Sequence, residues 1–231
     1  MMNKVITARN FRLLVLASFA ASSIYLVAIL FSPQLDIGIL TFDHPAILLY
    51  YNLSAIFVLF FPEIFKKITS CMVSDAMLAM YSGFVFAGLF LGTALDFYAL
   101  IPIWDKILHF FSGIVLGILG FAIIDLSHRH FKREMSVPLA TLFALCFAMA
   151  AGKVWEIYEF ILDSLLGTNT QRWADNYGVP FVGQEALMDT MLDMILNSSG
   201  AILIVIWGYH RIKRNGWPES LRITKAEKNV K

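Results

Sequence analysis

The chain has 231 residues, of which 58% are hydrophobic and only 15% charged, and its mean hydropathy is +0.70. Water-soluble domains run at about 45–50% apolar and about 25% charged residues, so this composition excludes a soluble globular surface and points to an integral membrane protein. A formal net charge of +1, with no basic block beyond a modestly basic C-terminal tail, gives no footprint for nucleic acid, and no Walker or dinucleotide glycine pattern is present.

A bilayer core about 30 Å thick takes about 20 apolar residues at 1.5 Å rise each. Six runs approach that length, and they predict an all-α, polytopic transmembrane helix bundle forming a single domain over residues 1–231. The first, Leu13 to Phe31, follows Lys4, Arg9 and Arg12 and contains Ala17, Ser18, Ala20 and Ala21, as a signal peptide does; it then continues for ten more apolar residues, which favours a retained anchor. The second, Ala46 to Phe61, is short. The third, Met77 to Leu100, carries Gly88 and Gly92 at a GxxxG spacing that permits close helix approach, and Asp96 near its outer end is expected to face water. The fourth, Ile107 to Leu126, is opened by Trp104, Asp105 and Lys106 and continues with His109, Ser112, Gly113 and Gly117. The fifth, Pro138 to Leu162, carries Lys153, Glu156 and Glu159, with Asp163 just beyond. A polar, aromatic stretch from Gly167 to Gly183, including Asn169, Gln171 and Arg172, is long enough to serve as a lid or as a connector. The sixth run, Ala186 to Tyr209, holds Asp189, Asp193 and Asn197, and residues 210–231 form a cytoplasmic tail. Cys71 in a hydrophilic loop and Cys146 within an apolar run lie at different depths, so no disulfide is expected.

Fifteen of the eighteen Lys and Arg fall before span one, between spans two and three, between four and five, or after span six. Positively charged loops stay cytoplasmic, so both termini are expected inside. Asp125, His128, His130 and Glu134 then belong to a solvated cytoplasmic loop, and His44 to an outer one.

Ionisable residues within spans cost roughly 2.5 to 3.5 kcal/mol each at mid-bilayer on insertion scales, so their placement is informative. Asp105 and His109 are four apart, Glu156, Glu159 and Asp163 three and four apart, and Asp189, Asp193 and Asn197 successive fours, so each set forms one stripe on one helix. Counted from the outer helix ends at about 1.5 Å per residue, His109, Glu159 and Asp189 lie roughly 3 to 6 Å deep, Glu156 and Asp193 about 10 Å, Lys153 and Asn197 about 15 Å. Matching layers on three helices predict a polar crevice open to the extracytoplasmic side and closing at Lys153. Six carboxylates there face Lys106, Lys153 and the nearby Arg172; protons, a bound cation or water must balance the excess. Lys153 and Glu156, three apart, can also be a plain structural ion pair.

The ordered motifs Trp104-Asp105-Lys106-Ile107-Leu108-His109 with Ser112-Gly113, Trp155-Glu156-Ile157-Tyr158-Glu159-Phe160 with Gly167-Thr168-Asn169, and Asp189-Thr190-Met191-Leu192-Asp193-Met194 resemble the YjdF-type family of uncharacterised bacterial membrane proteins. The order D-K-x-x-H, a Glu-bearing helix, and D-x-x-x-D-x-x-x-N-x-x-G at Asp189, Asp193, Asn197 and Gly200 also resembles the wider VanZ-like group. The resemblance covers about Asp96 to Gly200. It implies a multi-pass protein of the bacterial inner or plasma membrane and implies no mechanism. VanZ is associated with low-level teicoplanin resistance, but Gln171 and Arg172 are only approximate counterparts of the Gln or Arg element in the VanZ-like pattern, so resistance is not carried over.

Three functions compete on these residues. In the first, an enzyme acts on a lipid or lipid-linked envelope molecule at the outer leaflet: His109 with Glu156 or Glu159 is the acid/base pair, and Asp189 with Asp193 holds a hard divalent cation such as Mg²⁺. Asp105, Lys106, Lys153, Asp163, Asn169, Gln171 and Asn197 would line its binding site. Zinc is disfavoured, because one histidine alone reaches the layer. In the second, the carboxylates serve a proton- or cation-coupled transporter, which the apolar inner half of spans four to six disfavours. In the third, the crevice binds an envelope precursor or a partner helix without turnover.

Overall fold

The computed structural model describes residues 7–40, 44–132, 134–175 and 177–225, apart from the side chains at 130 and 131. Lys4, Arg133, Lys228 and Lys231, and the side chain of His130, used above for orientation, lie outside that description. The chain is all-α apart from one two-stranded sheet. Among the described residues, six helical segments are long and apolar enough to cross a membrane: Ala8–Phe31, Pro45–Thr69, Asp75–Ala94, Trp104–Arg129, Val137–Leu166 and Glu185–Asn215. The six expected runs are all present, with several ends moved. The chain divides into two compact units, residues 1–105 with 218–231, and residues 106–217. No linker or composition shift in the sequence marks that division.

In the first unit, α1 (Ala8–Phe31) starts where Thr7 Oγ1 accepts the Asn10 N–H at 3.2 Å, the usual N-cap bond that satisfies an orphan amide. It packs along α2 (Pro45–Leu59) and α4 (Asp75–Val85). Val15 and Phe19 of α1, Ala55 and Leu59 of α2 and Val85 of α4 form one buried cluster, with the Phe90 ring edge-on to Phe19 at 5.4 Å. Asn52 of α2 is fully buried and donates to Ser22 Oγ of α1 at 2.7 Å, a polar clasp between two apolar helices. His44 does not simply face solvent: its Nδ1 accepts the Ala46 N–H and caps α2. The second span is longer than expected because α3 (Phe61–Thr69) resumes the helix after a break at Phe60. Pro62 stands in the first turn of that new helix, where its missing N–H costs nothing, and Glu63 pairs with Arg12 of α1.

Span three ends earlier than its apolar run. After Val85 the helix widens into a π-helix over Phe86–Ala94, and Asp96 then turns left-handed at φ 58° ahead of the short α5 (Phe97–Leu100). Gly92, read from sequence as a helix-approach motif, instead seats the Tyr98 ring of its own chain segment, which a Cβ there would overlap. The tail also departs from expectation. Cys71 lies buried in strand β1 (Cys71–Val73), which pairs antiparallel with β2 (Ile223–Lys225), and Ser74 donates to the Ser220 carbonyl at 2.5 Å. Both cysteines are free.

The second unit comprises α6 (Trp104–Phe131) from Lys106 onward, α7 (Val137–Leu166), the loop to residue 184, and α8 (Glu185–Asn215). The last helix continues past Tyr209 because Arg211, Lys213 and Arg214 are good helix formers whose charge suits a helix C-terminus. Three glycines set the crossing of α6 and α8. A Cβ on Gly113 would collide with the Asn197 carbonyl, one on Gly200 with the Phe110 carbonyl, and one on Gly117 with Ile204. Two of these obstacles are backbone and cannot swing away, so the GxxxG spacing of α6 is a true contact face. Gly120 meets Ala144 of α7 in the same way. Beyond α8, Trp217 packs on Phe121 with ring centroids 5.0 Å apart. Asp125, His128 and Arg129, expected in a loop, stand on the last turns of α6: Asp125 pairs with Arg129 at 2.8 Å, and His128 Nε2 accepts the N–H of Met135 in the turn before α7 at 2.8 Å.

Candidate functional site

The close glycine-lined approach of α6 to α8 brings their polar stripes within side-chain reach. Lys106 Nζ donates to Asp189 Oδ1 at 2.5 Å and to both oxygens of Asp193 at 2.8 Å. Asp193 is 1% exposed, so its charge is met by protein rather than by water. One turn further along α6, His109 Nε2 lies 3.9 Å from Asp193 Oδ1 and its Nδ1 lies 3.6 Å from Glu156 Oε1 of α7. The imidazole thus stands between carboxylates from two other helices. Glu159 approaches the same point: His109, Glu156 and Glu159 each offer a ligand-type atom within 4.8 Å of the others. Trp155 Nε1 donates to Glu159 Oε1 at 2.8 Å and fixes its direction.

Deeper on α6, Ser112 Oγ donates to the His109 carbonyl at 2.7 Å and accepts from Asn197 Nδ2 at 2.8 Å. Asn197 fits because Gly152 of α7 has no Cβ to occupy its place. The sequence pattern put Asp189 and Asp193 together as a divalent-cation pair. In the structure the ammonium of Lys106 sits between them, and a metal ion there would have to displace it.

The Gly167–Gly183 stretch is tied down by one carboxylate. Gly167, left-handed at φ 66°, ends α7 and turns the chain back over Asp163. Asp163 Oδ1 accepts from the Thr168 hydroxyl at 2.6 Å and from the Thr170 amide and hydroxyl at 2.8 and 2.7 Å; Oδ2 accepts the Gln171 amide at 2.9 Å. This arrangement aims the Gln171 side chain inward, where Nε2 donates to the Glu156 carbonyl at 3.3 Å and to Thr190 Oγ1 at 3.1 Å. Hydrogen bonds to a charged group contribute about 1.5–3 kcal/mol each, so Asp163→Ala is expected to speed amide exchange at Thr170 and Gln171 at least about tenfold. Hydrogen-exchange mass spectrometry reads this directly, and unchanged exchange would show the loop to be held by other contacts.

Beside that loop, α7 and α8 form a cavity of about 350 Å³, an open, shallow and largely apolar surface groove lined by Lys153, Glu156, Ile157, Phe160, Gln171, Thr190 and Met194. Lys153 lines this groove and does not pair with Glu156. Its side chain is exposed, and among the described residues it has no ion pair or hydrogen bond.

His109, Glu156, Glu159 and Asp193 are therefore brought together, with Lys106 and Asp189 adjoining. Asn197 supports them through Ser112, and Asp163 and Gln171 act through the loop. Asn169 is turned to the loop itself, donating to the Ala174 carbonyl at 2.7 Å and accepting its amide at 3.1 Å. Asp105 is buried one turn before His109 on α6 and falls in the first unit. Thr190 was missed by the stripe argument because it lies about 100° around the helix from Asp189.

The six helices long and apolar enough to cross a membrane define a polytopic membrane protein, and three of them carry this buried imidazole–carboxylate cluster. The chain belongs to the DUF2238 family of predicted membrane proteins, whose match covers residues 13–214. It is similar to an uncharacterized protein of Thermotoga maritima, with 34% identity over 142 residues that make up 61% of this chain and 66% of that protein. The chain thus covers just under two thirds of that relative. No solved structure matches it.

Proposed function

We propose that the protein is a multi-pass enzyme of the bacterial plasma membrane in which His109 and Glu156 carry out acid–base chemistry on a lipid or lipid-linked envelope molecule entering from the outer leaflet. One observation carries this reading: the His109 ring stands between Glu156 and Asp193, beside a cavity whose wall includes Glu156. Proton transfer needs a donor and an acceptor within about 2.6–3.2 Å or joined by one water, so at 3.6 Å this pair works through a bridging water or closes up when a substrate enters beside Glu156. The surface the cavity presents is mostly apolar, from Ile157, Phe160 and Met194, with Lys153, Gln171 and Thr190 as its few polar side chains, which suits an amphipathic molecule.

The distribution of Lys and Arg supports an outward-facing site, because the ends of α6, α7 and α8 nearest the cluster adjoin the lysine- and arginine-poor loops. Lys106, Asp189 and Asp193 act in this reading as a positioning triad that sets the His109 side of the pair. The likeness to VanZ-like proteins rests on the Asp105–His109, Glu156 and Asp189–Asn197 motifs alone and adds no activity. The full chain, reconstituted in nanodiscs of bacterial lipid extract and followed by lipid mass spectrometry, tests the proposal. A product that accumulates with the parent protein and fails to accumulate with Glu156→Gln is the expected result. Identical lipid profiles for parent, variant and empty nanodiscs would overturn it.

A further inference from the structure

The acid–base reading leaves the lipid's chemistry open, and the inference below rests on that reading while narrowing it. Lys153 is the one cation among the residues lining the cavity, and it belongs to a helix that crosses the membrane. α7 has 30 residues, about 45 Å, so it is longer than the hydrocarbon core and its outer turns stand beyond it. Trp155 and Tyr158, exposed and with ring centroids 5.3 Å apart, follow Lys153 by two and five residues. Exposed Trp and Tyr mark the headgroup level, which sets Lys153 at the edge of the hydrocarbon, about 3–8 Å below that belt. There a long flexible ammonium can reach lipid headgroups, and a cation without a protein partner is best satisfied by an anion the bilayer itself supplies.

We propose that the cavity between α7 and α8 holds the phosphodiester of a glycerophospholipid against the Lys153 ammonium. The charge count selects the diester. One lysine offsets one negative charge, and the Glu156 carboxylate is buried against His109 rather than turned to the cavity, so Lys153 is the charge an occupant meets. A diphosphate or a monoester carries more charge than the lining can offset, whereas a phosphodiester carries one. Gln171 Nε2 and Thr190 Oγ1, 3.1 Å apart at the cavity wall, provide a neutral polar edge for the glycerol or headgroup hydroxyls. Ile157, Phe160 and Met194 provide apolar walls for the adjoining chain.

Native mass spectrometry of the full chain in detergent, titrated in parallel with phosphatidylglycerol, diacylglycerol and a polyprenyl diphosphate, tests the assignment. The parent is expected to retain phosphatidylglycerol and not diacylglycerol, Lys153→Gln to weaken that retention about tenfold, and Lys153→Arg to restore most of it. Because Lys153 is exposed and has no ion pair or hydrogen bond among the described residues, equal thermal unfolding of parent and variants is expected, and the arginine variant separates a charge effect from a folding defect. Retention of phosphatidylglycerol by Lys153→Gln equal to that of the parent, or diacylglycerol binding as well as phosphatidylglycerol, would overturn the assignment. Tighter binding of the polyprenyl diphosphate would overturn it in favour of a lipid-linked precursor. Lys153-dependent retention with no lipid turnover would leave this site standing and remove the acid–base reading, whereas turnover with Lys153-independent retention would do the reverse.

Discussion

Replacing Lys106 with methionine is expected to destabilise the protein by about 3–5 kcal/mol, the cost of removing one partner from a buried ion pair. The size follows from what remains. Three contacts of 2.5 to 2.8 Å join this ammonium to Asp189 and Asp193, and the Asp193 side chain is 2% exposed. Without Lys106, two carboxylates on the same face of α8 lose the cation between them, and neither water nor lipid can reach Asp193 to replace it.

The counter-variants should differ in order. Asp189→Asn is expected to be milder than Asp193→Asn, because Asp189 is more exposed, 13% against 2%, and leaves Lys106 paired with both Asp193 oxygens. Combining Lys106→Met with Asp193→Asn should recover part of the loss, a coupling of about 0.5–3 kcal/mol. Thermal unfolding in one detergent at constant lipid content measures the series. A Lys106→Met variant within about 0.5 kcal/mol of the parent would place this triad with ordinary exposed ion pairs, which contribute about 0–1 kcal/mol.

Much of this site was legible as chain positions and little of it as pairings. The apolar runs gave six helices because a bilayer leaves the backbone no other partner over that length. Polar residues three or four apart gave the stripes of α7 and α8 because such side chains share a helix face. Which stripe meets which depends on the depth and angle of helix crossing. Here Gly113, Gly117 and Gly200 set these, and their spacing alone is common in membrane helices. Equal-depth counting put His109 level with Glu159 and Asp189. Glu159 does come within 4.8 Å of it, but the helix crossing also sets His109 beside Glu156 and Asp193 and gives Asp189 to Lys106.

Other departures have the same origin in non-local contacts. An apolar run continues through Ala94 to Leu100, but nothing in its composition signals the π-helix at Phe86–Ala94 or the left-handed Asp96 that ends the span. Likewise the polar composition after Tyr209 reads as a solvated tail, yet Ile223 lies buried in a strand opposite Val73. A three-residue strand has too little pattern to detect without its partner. Lys153 is the reverse case. Its spacing from Glu156 suggests an i, i+3 pair, but Glu156 turns toward α6 to meet His109, and Lys153 is left facing the cavity.

If that turn of Glu156 toward His109 is the catalytic arrangement, His109→Gln should lower kcat on the lipid substrate by about 10²–10⁴-fold, the usual contribution of a positioned acid or base. KM should change little, because His109 does not line the cavity and Glu156 does. Lys153→Gln should show the opposite split, with KM raised and kcat nearly kept, since its ammonium is assigned to binding. Glu156→Gln should match His109→Gln in kcat, and the double variant should be no slower than the slower single one, because two groups that move one proton act as a unit. Glu159→Gln should cost less than either: its carboxylate is already held by Trp155 Nε1 at 2.8 Å and stands at the edge of the cluster. Steady-state turnover in nanodiscs, with each variant first matched for thermal unfolding, separates these outcomes. Independent, multiplying losses at His109 and Glu156 would mean that the two side chains do not share a proton, and a His109→Gln variant with parental kcat would leave the 3.6 Å approach as helix packing alone.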